Sequence, residues 1–317
     1  MIELLNFYPN RVAALELSLG FSNGLRLQYT GLRTFLMTTN LRSVEQFRQD
    51  TLEKLQSKVS MGRILGPFSR LPISNLHISP IGLVPKSDEG WRLITYLFSP
   101  EGNSINYFIS PQFTRVQYTS LDSILDNIHL HGQNALLAKI DIKSAFRLLK
   151  IHPADFDLMG IKFGGSYYID KCLPMGCSVS CKLFETFSTF LQSVDHYLDD
   201  LIFMGSANTG DCAMLMSSCD KLCLELVVPL AKNKTMGPCT LLPFLGYLIN
   251  TEMLRILIPP EKLDTLRSSL ESLMTKKKTT LKELQSVSGL MSFCSKAIPS
   301  SRAFIQRFYD LMRSVEK

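Results

Sequence analysis

The sequence predicts an α+β fold, and three observations carry that prediction. Two short apolar runs, Ala138–Phe146 and His196–Phe203, read as buried strands that each carry aspartate. The stretch from Gly66 to Gln117 is punctuated by Pro67, Pro72, Pro80, Pro85, Pro100 and Pro111, which leaves room only for short strands between turns. The last quarter of the chain, by contrast, keeps helical spacing throughout.

Taken in chain order, Val44 to Val59 reads as an amphipathic helix, with Phe47, Leu52, Leu55 and Val59 near helical spacing. Ile81–Pro85 and Trp91–Ile94 are strands between turns. Leu136 to Ile151 is a strand entering a turn, and Ser166 to Leu173 is another strand. After Pro174-Met-Gly176 a helix runs from Ser178 to about Gln192, with Val179, Leu183, Phe187, Phe190 and Leu191 on one face. The Leu198 region is a hairpin, Asp211 to Leu226 a helix, and Phe244–Ile249 a returning strand. Pro260 opens a helix; Thr280-Leu-Lys-Glu283 is a capping box that starts a second; Ser301 caps a third.

The chain has 317 residues, 45% hydrophobic and 20% charged, enough for two or three subdomains around a sizeable core. No apolar run approaches a membrane span, and the N-terminus lacks the basic and apolar regions of a signal peptide. This predicts an intracellular protein, in cytoplasm or nucleus. The net charge of +6 suits a polyanionic partner, and the cations crowd the last quarter, where Lys276, Lys277 and Lys278 are consecutive. The eight cysteines show no paired zinc-ligand spacing and read as reduced core thiols.

Strands that end in aspartate are costly to bury unless something cationic neutralises them. A pair of divalent metals does so, and Asp141, Asp199 and Asp200 are the candidate ligands. Nucleotidyl transfer uses such a pair. In an antiparallel hairpin Tyr197 and Asp199 share a face, with Asp200 in or beside the turn. The plainer reading, aspartates as turn residues, stays open at this point. Phe146 can press on the sugar of an incoming nucleotide, or it is a core phenylalanine. Lys86 and Arg92 flank a turn containing Asp88-Glu-Gly90 and can offer cations to a triphosphate, or are solvated loop charges. Lys234 can serve as general acid to a leaving pyrophosphate, although most loop lysines do nothing of the kind.

The segments Ala138-Lys-Ile-Asp-Ile-Lys-Ser-Ala-Phe-Arg-Leu-Leu149, Cys172-Leu-Pro-Met-Gly-Cys-Ser-Val-Ser-Cys181, Phe184-Glu-Thr-Phe-Ser-Thr-Phe190 and His196-Tyr-Leu-Asp-Asp200 occur in the order of reverse-transcriptase motifs. Gly62–Phe68, Ser79–Lys86, Val228–Thr235 and Thr280–Ser286 fit the same family, so the resemblance spans nearly the whole chain. In wording it is most similar to the reverse transcriptases of DIRS-type retrotransposons, which carry a tyrosine recombinase.

The resemblance implies a right-hand polymerase: N-terminal extension and fingers over 1–135, an antiparallel palm over 136–250, and a helical thumb over 251–317. It implies two magnesium ions, or manganese, on Asp141, Asp199 and Asp200, with Phe146 as sugar gate. Lys86 and Arg92 match the fingers cations, Met175 and Gly176 the turn beside the nucleotide, and Phe244, Leu245 and Gly246 the primer grip. The partners implied are a primed RNA or DNA template, deoxynucleoside triphosphates and the rest of a retroelement polyprotein. Lys276, Lys277 and Lys278 would meet template phosphates.

Three departures stand out. Met175 replaces a residue that is usually Phe in this family, and Tyr107 follows Asn106 where Asp is usual. Only Gln192 to Asp195 separate the helix from the catalytic hairpin. Four extended residues reach at most ~14 Å, so either the helix ends early or the hairpin loses part of its first strand. No second carboxylate cluster suggests ribonuclease H. The expected function is RNA-directed DNA polymerisation, impaired by the short connection. A degenerate copy that only binds nucleic acid is the first alternative. A metal-dependent phosphohydrolase is the second, and the fingers-like and thumb-like flanks argue against it.

Overall fold

Hydrophobic period changes along the chain, and the elements follow it. The computed structural model describes residues 2–86, 90–191, 196–197 and 200–315. Helices α1 (Ile2–Leu5) and α2 (Arg11–Asn23) come first, the latter capped by the Asn10 side chain, which accepts from the Ala13 N–H. Strand β1 (Leu36–Met37) precedes α3 (Arg42–Gln46) and α4 (Arg48–Ser60). The expected single helix over 44–59 is therefore two, broken at Phe47, whose φ of −118° and ψ of 57° are not helical. Its ring packs on Trp91, centroids 4.1 Å apart, and that contact turns the backbone out of the helix.

Four strands follow: β2 (Ile64–Phe68), β3 (His77–Ile78), β4 (Ile81–Pro85) and β5 (Trp91–Thr95). Next are α5 (Leu121–His131), β6 (Leu136–Asp141), β7 (Gly160–Phe163), β8 (Ser166–Asp170), α6 (Ser180–Leu191), β9 (His196–Tyr197), β10 (Asp200–Gly205) and α7 (Asp211–Glu225). The rest are β11 (Met236–Cys239), β12 (Leu241–Phe244), β13 (Tyr247–Asn250), β14 (Arg255–Leu257), α8 (Pro260–Thr275), α9 (Leu281–Cys294) and α10 (Arg302–Val315).

These elements form two compact units, each assembled from three stretches of chain: 1–118, 141–201 and 219–233 in the first, and 119–140, 202–218 and 234–317 in the second. The first unit holds a five-stranded sheet in the order β1-β3-β7-β8-β2 and the antiparallel ribbon β4–β5. Pairings β1–β3 and β3–β7 are parallel, β7–β8 and β8–β2 antiparallel. Val44, Leu55, Ile64, Ile81, Ile161 and Phe163 pack its core. His77, buried on β3, has no hydrogen-bond partner for Nε2, and burial pushes its pKa down to about 4.

The second unit holds the meander β12-β13-β14 and the last three helices, which close on Val287, Met291 and Ile305. The capping box of α9 forms as the sequence predicts: the Glu283 N–H donates to Thr280 Oγ1, and the Thr280 N–H donates to Glu283 Oε2. Ser301 does not cap α10; it lies in a 3₁₀ turn and its hydroxyl donates to Ile298 O. A fourth sheet has the order β11-β6-β10-β9, with β11–β6 and β9–β10 antiparallel.

All eight cysteines are free thiols, six of them buried, as the lack of ligand spacing predicts. Among the described residues no helix is long and apolar enough to cross a membrane.

Candidate active site

The apolar run of β6 carries its last residue, Asp141, to the strand end, where it is 7% exposed. The strand end is pinned by the segment beyond α7. Asp141 O accepts from the Ala231 N–H, the Lys143 N–H donates to Pro229 O, and Ile142 bridges Leu230. Ser144 then adopts a left-handed φ of 58° and starts a 3₁₀ turn, Ala145–Leu148, which presents Phe146. Phe146 is buried, its ring centroid 5.2 Å from that of Phe184 on α6.

Arg147, next to Phe146, was given no role by its sequence context. It forms a buried two-pronged ion pair with Asp170 at the end of β8, Nη1 to Oδ2 2.7 Å and Nη2 to Oδ1 2.5 Å. It also donates to Cys172 O. A bidentate pair of this kind fixes orientation as well as distance, so the Phe146 turn is tied to β8.

Asp200 is the first residue of β10 and pairs in register with Tyr197 of β9; Leu201 pairs with His196. Asp200 is half-buried. In the sheet β6 and β10 are neighbours, and Asp141 and Asp200 both belong to the first unit. Asp199, the other hairpin carboxylate, lies outside the described residues, as does the 192–195 connection. Helix α6 continues to Leu191 and the first hairpin strand has two residues. Among the described residues no three His, Cys, Asp or Glu side chains gather into a metal-binding group.

Lys86 and Arg92 are exposed at the turn end of the β4–β5 ribbon, where Val84 pairs with Arg92 and the Lys86 N–H donates to Gly90 O. Asp88 and Glu89 of the intervening turn lie outside the described residues. Met175 is 49% exposed, and Gly176 has a φ of +94° that favours glycine. The flanking thiols are inert: burial pushes Cys177 up to about 11 and raises Cys172 as well. Asn106 reaches this turn from a distant segment: its Nδ2 donates to Gly176 O (2.7 Å) and its Oδ1 accepts from the Ser178 N–H (2.9 Å). Sequence reasoning noticed Asn106 only as the neighbour of Tyr107.

The remaining predicted residues belong to the second unit. Lys234 is exposed in a turn. Phe244–Ile249 is not one strand: Phe244 pairs with Tyr247 across a two-residue turn, Leu245-Gly246, with φ of 48° and 81°. Positive φ at both central residues is the requirement of a tight hairpin turn. Phe244 is buried, and Gly246 leaves room for Lys262 Nζ, which a Cβ would approach to 2.6 Å. Lys262 in turn lies 3.9 Å over the Phe293 ring, on which Tyr247 stacks. Lys276, Lys277 and Lys278 are exposed between α8 and α9. Lys276 is already engaged, 2.6 Å from Glu283, and with Thr280 and Thr279 it holds that carboxyl down to about 2.

Comparison with known proteins accounts for this arrangement. The family described as reverse transcriptase (RNA-dependent DNA polymerase) matches residues 84–249. The Pro-Pol polyprotein of feline foamy virus is 25% identical over 238 residues, 74% of this chain but 19% of that protein. The foamy viral protease–reverse transcriptase in complex with double-stranded DNA superposes with a TM-score of 0.71 at 18% identity, covering 98% of this chain and 55% of that one. The same viral protein bound to an RNA/DNA hybrid gives 0.63 at 17% identity, covering 99% and 45%. The chain thus spans about a fifth of the length of the curated relative it matches. The fold is α+β, of the right-hand polymerase kind with an antiparallel palm sheet and a helical thumb. With the family match extending over more than half of its length, the chain belongs to the reverse transcriptases.

Proposed function

We propose that the chain is the RNA-directed DNA polymerase domain of a retroelement, extending the 3′-end of a primer on an RNA or DNA template with deoxynucleoside triphosphates. The observation that carries this is the placement of Asp141 and Asp200, both in the first unit, at the end of β6 and the start of β10, which are neighbours in one sheet. A carboxylate buried to the extent of Asp141 is stable only with compensating partners. A donor set made only of carboxylate oxygens fits a hard divalent cation.

Asp141 and Asp200, with Asp199, would hold two magnesium or manganese ions. Such ions, when bound, lower the pKa of the attacking hydroxyl and neutralise charge on the leaving phosphates. The chain's own residues do the rest. Lys86 and Arg92 counter the triphosphate. Phe146 lies against the sugar, where a 2′-hydroxyl would clash, and Met175 and Gly176 flank the nucleotide. Lys234 donates a proton to the leaving pyrophosphate. Phe244, Leu245 and Gly246 grip the primer strand, and Lys276, Lys277 and Lys278 meet backbone phosphates. The subdomains in this reading are an N-terminal extension and fingers over 1–135, palm over 136–250 and thumb over 251–317.

The wording of the motifs supports a DIRS-type retrotransposon as the source, with this domain working inside a longer polyprotein in the cytoplasm or nucleus. The test is extension of a primed RNA template with magnesium and four deoxynucleotides. Synthesis by the unmodified chain that is lost in Asp141→Asn supports the reading; equal activity in both overturns it. One observation favours a second reading, a non-catalytic copy that retains nucleic-acid binding: only Gln192 to Asp195 separate the end of α6 from His196. Tight binding of RNA–DNA duplex with no extension would select it.

A further inference from the structure

The turn that carries Met175 and Gly176 is held from a segment 70 residues away in sequence. Asn106, 7% exposed, uses both ends of its side-chain amide there. Nδ2 donates to Gly176 O at 2.7 Å and Oδ1 accepts from the Ser178 N–H at 2.9 Å. The two bonds bracket the turn as a neighbouring strand would, one donor and one acceptor in a plane. A side-chain amide supplies a donor and an acceptor from separate atoms in one plane.

The same residue is anchored to the cationic ribbon. Its backbone N–H donates to Leu97 O, two residues beyond the end of β5, and Gly176 faces that strand end closely: a Cβ there would lie 3.5 Å from Thr95 O. All of these residues belong to the first unit. Asn106 therefore joins two parts that sequence assigns separately to the nucleotide: the ribbon bearing Lys86 and Arg92, and the turn bearing Met175 and Gly176.

We propose that Asn106 is a positioning residue for the incoming nucleotide. It sets the separation between the cationic ribbon and the Met175–Gly176 turn and touches no substrate itself. The nucleotide half of this inference rests on the polymerase reading; the clamp does not. Binding geometry is unforgiving, since ~1 Å of misplacement can cost about 100-fold. A glycine at φ +94° has little of its own to hold it in place. Loss of the clamp should thus weaken nucleotide binding more than it slows chemistry on bound nucleotide.

Asn106→Leu removes both hydrogen bonds at nearly constant shape. Asn106→Asp keeps the acceptor for Ser178 but sets a carboxylate against the Gly176 carbonyl. Two measurements separate the clamp from the polymerase reading: hydrogen exchange at the Ser178 amide in the free chain, and the Kd of a fluorescent deoxynucleoside triphosphate for the chain on primed template, with kcat and KM where extension is measurable. In Asn106→Leu, Ser178 exchange should quicken and nucleotide Kd or KM should rise, each by about tenfold, as the loss of one or two hydrogen bonds implies. The kcat should stay within about threefold, the pattern of lost binding rather than lost chemistry. Asn106→Asp should leave Ser178 protected yet still weaken nucleotide binding, and it carries the test if Asn106→Leu does not fold. Unchanged Ser178 exchange in Asn106→Leu overturns the clamp. Faster exchange with unchanged nucleotide affinity overturns the positioning role. If the unmodified chain binds no nucleotide at all, the polymerase reading fails and the nucleotide half falls with it, while Ser178 still reports on the clamp.

Discussion

Asp141 and Asp200 differ from ordinary turn aspartates in that Asp141 ends, and Asp200 begins, a strand made mostly of buried residues. Asp141→Asn and Asp200→Asn keep shape and remove charge. Primer extension should fall on the order of 10³-fold in each, since a metal ligand contributes several kcal/mol and each 1.4 kcal/mol is tenfold. Nucleic-acid affinity should hold, and a fall of less than tenfold in a quenched-flow assay would place the metals elsewhere. Phe146→Val should admit ribonucleotides, improving their kcat/KM relative to deoxynucleotides by about tenfold, the scale of a side-chain-sized steric change. Incorporation of each triphosphate opposite one template base measures it. These residues were legible in the sequence because each sits inside a short motif with its neighbours. Asn106 and Arg147 were not. Their partners are 70 and 23 residues away, and nothing in the local pattern of either segment announces a long-range hydrogen bond.

Strand β3 shows what an element can do to a titration. His77 is neutral when folded, with its pKa pushed from 6.5 down to about 4 by burial. Between those values the unfolded chain binds more protons than the folded one, so stability rises with pH from about 4 to 6.5 and is lost as pH falls through that window. The loss should be on the order of 2 kcal/mol. Urea titrations at pH 4.5 and 7 should show it in the unmodified chain and show less of it in His77→Phe. In the loop between α8 and α9, Lys276 is already paired with Glu283. Lys277→Ala with Lys278→Ala should therefore reduce the slope of log K against log salt for duplex binding by about two, and adding Lys276→Ala should change it little further. Equal contributions from all three lysines would contradict this.

Elements differed in how far the sequence specified them. The capping box of α9 is local chemistry and was fully legible. The hairpin at 244–249 was not, because its turn places Leu245 at a φ of 48°, a region that bulky side chains avoid. The packing of Gly246 against Lys262 and Phe293 overrides that preference. The break between α3 and α4 has the same origin: Phe47 keeps helical spacing in the sequence, but its ring contact with Trp91 takes precedence.

At the scale of the whole molecule, primer extension should be weak, because the four residues from Gln192 to Asp195 connect α6 directly to the hairpin that bears Asp200. Inserting residues between Leu191 and His196 to reach the family's length should raise extension by about tenfold or more, since small misplacements of catalytic groups are costly. Robust synthesis by the unmodified chain would show the short connection to be harmless. The motifs revealed the family but not the division into two units. Each unit draws on three separated stretches, and no shift in composition marks where the chain passes from one to the other.

That interleaving has a consequence during synthesis. Strands β2 and β3 leave the ribosome long before the strands they pair with, β8 and β7. At roughly 5–20 residues per second, the interval from Tyr118 to Asp170 takes about 3–10 s. Throughout it, the N-terminal segment has open strand edges and an incomplete apolar core, the conditions under which a nascent chain pairs with the wrong neighbour. The first unit cannot close until Asn233 has emerged, so translation speed and chaperone supply would govern the yield of folded protein as much as its final stability does.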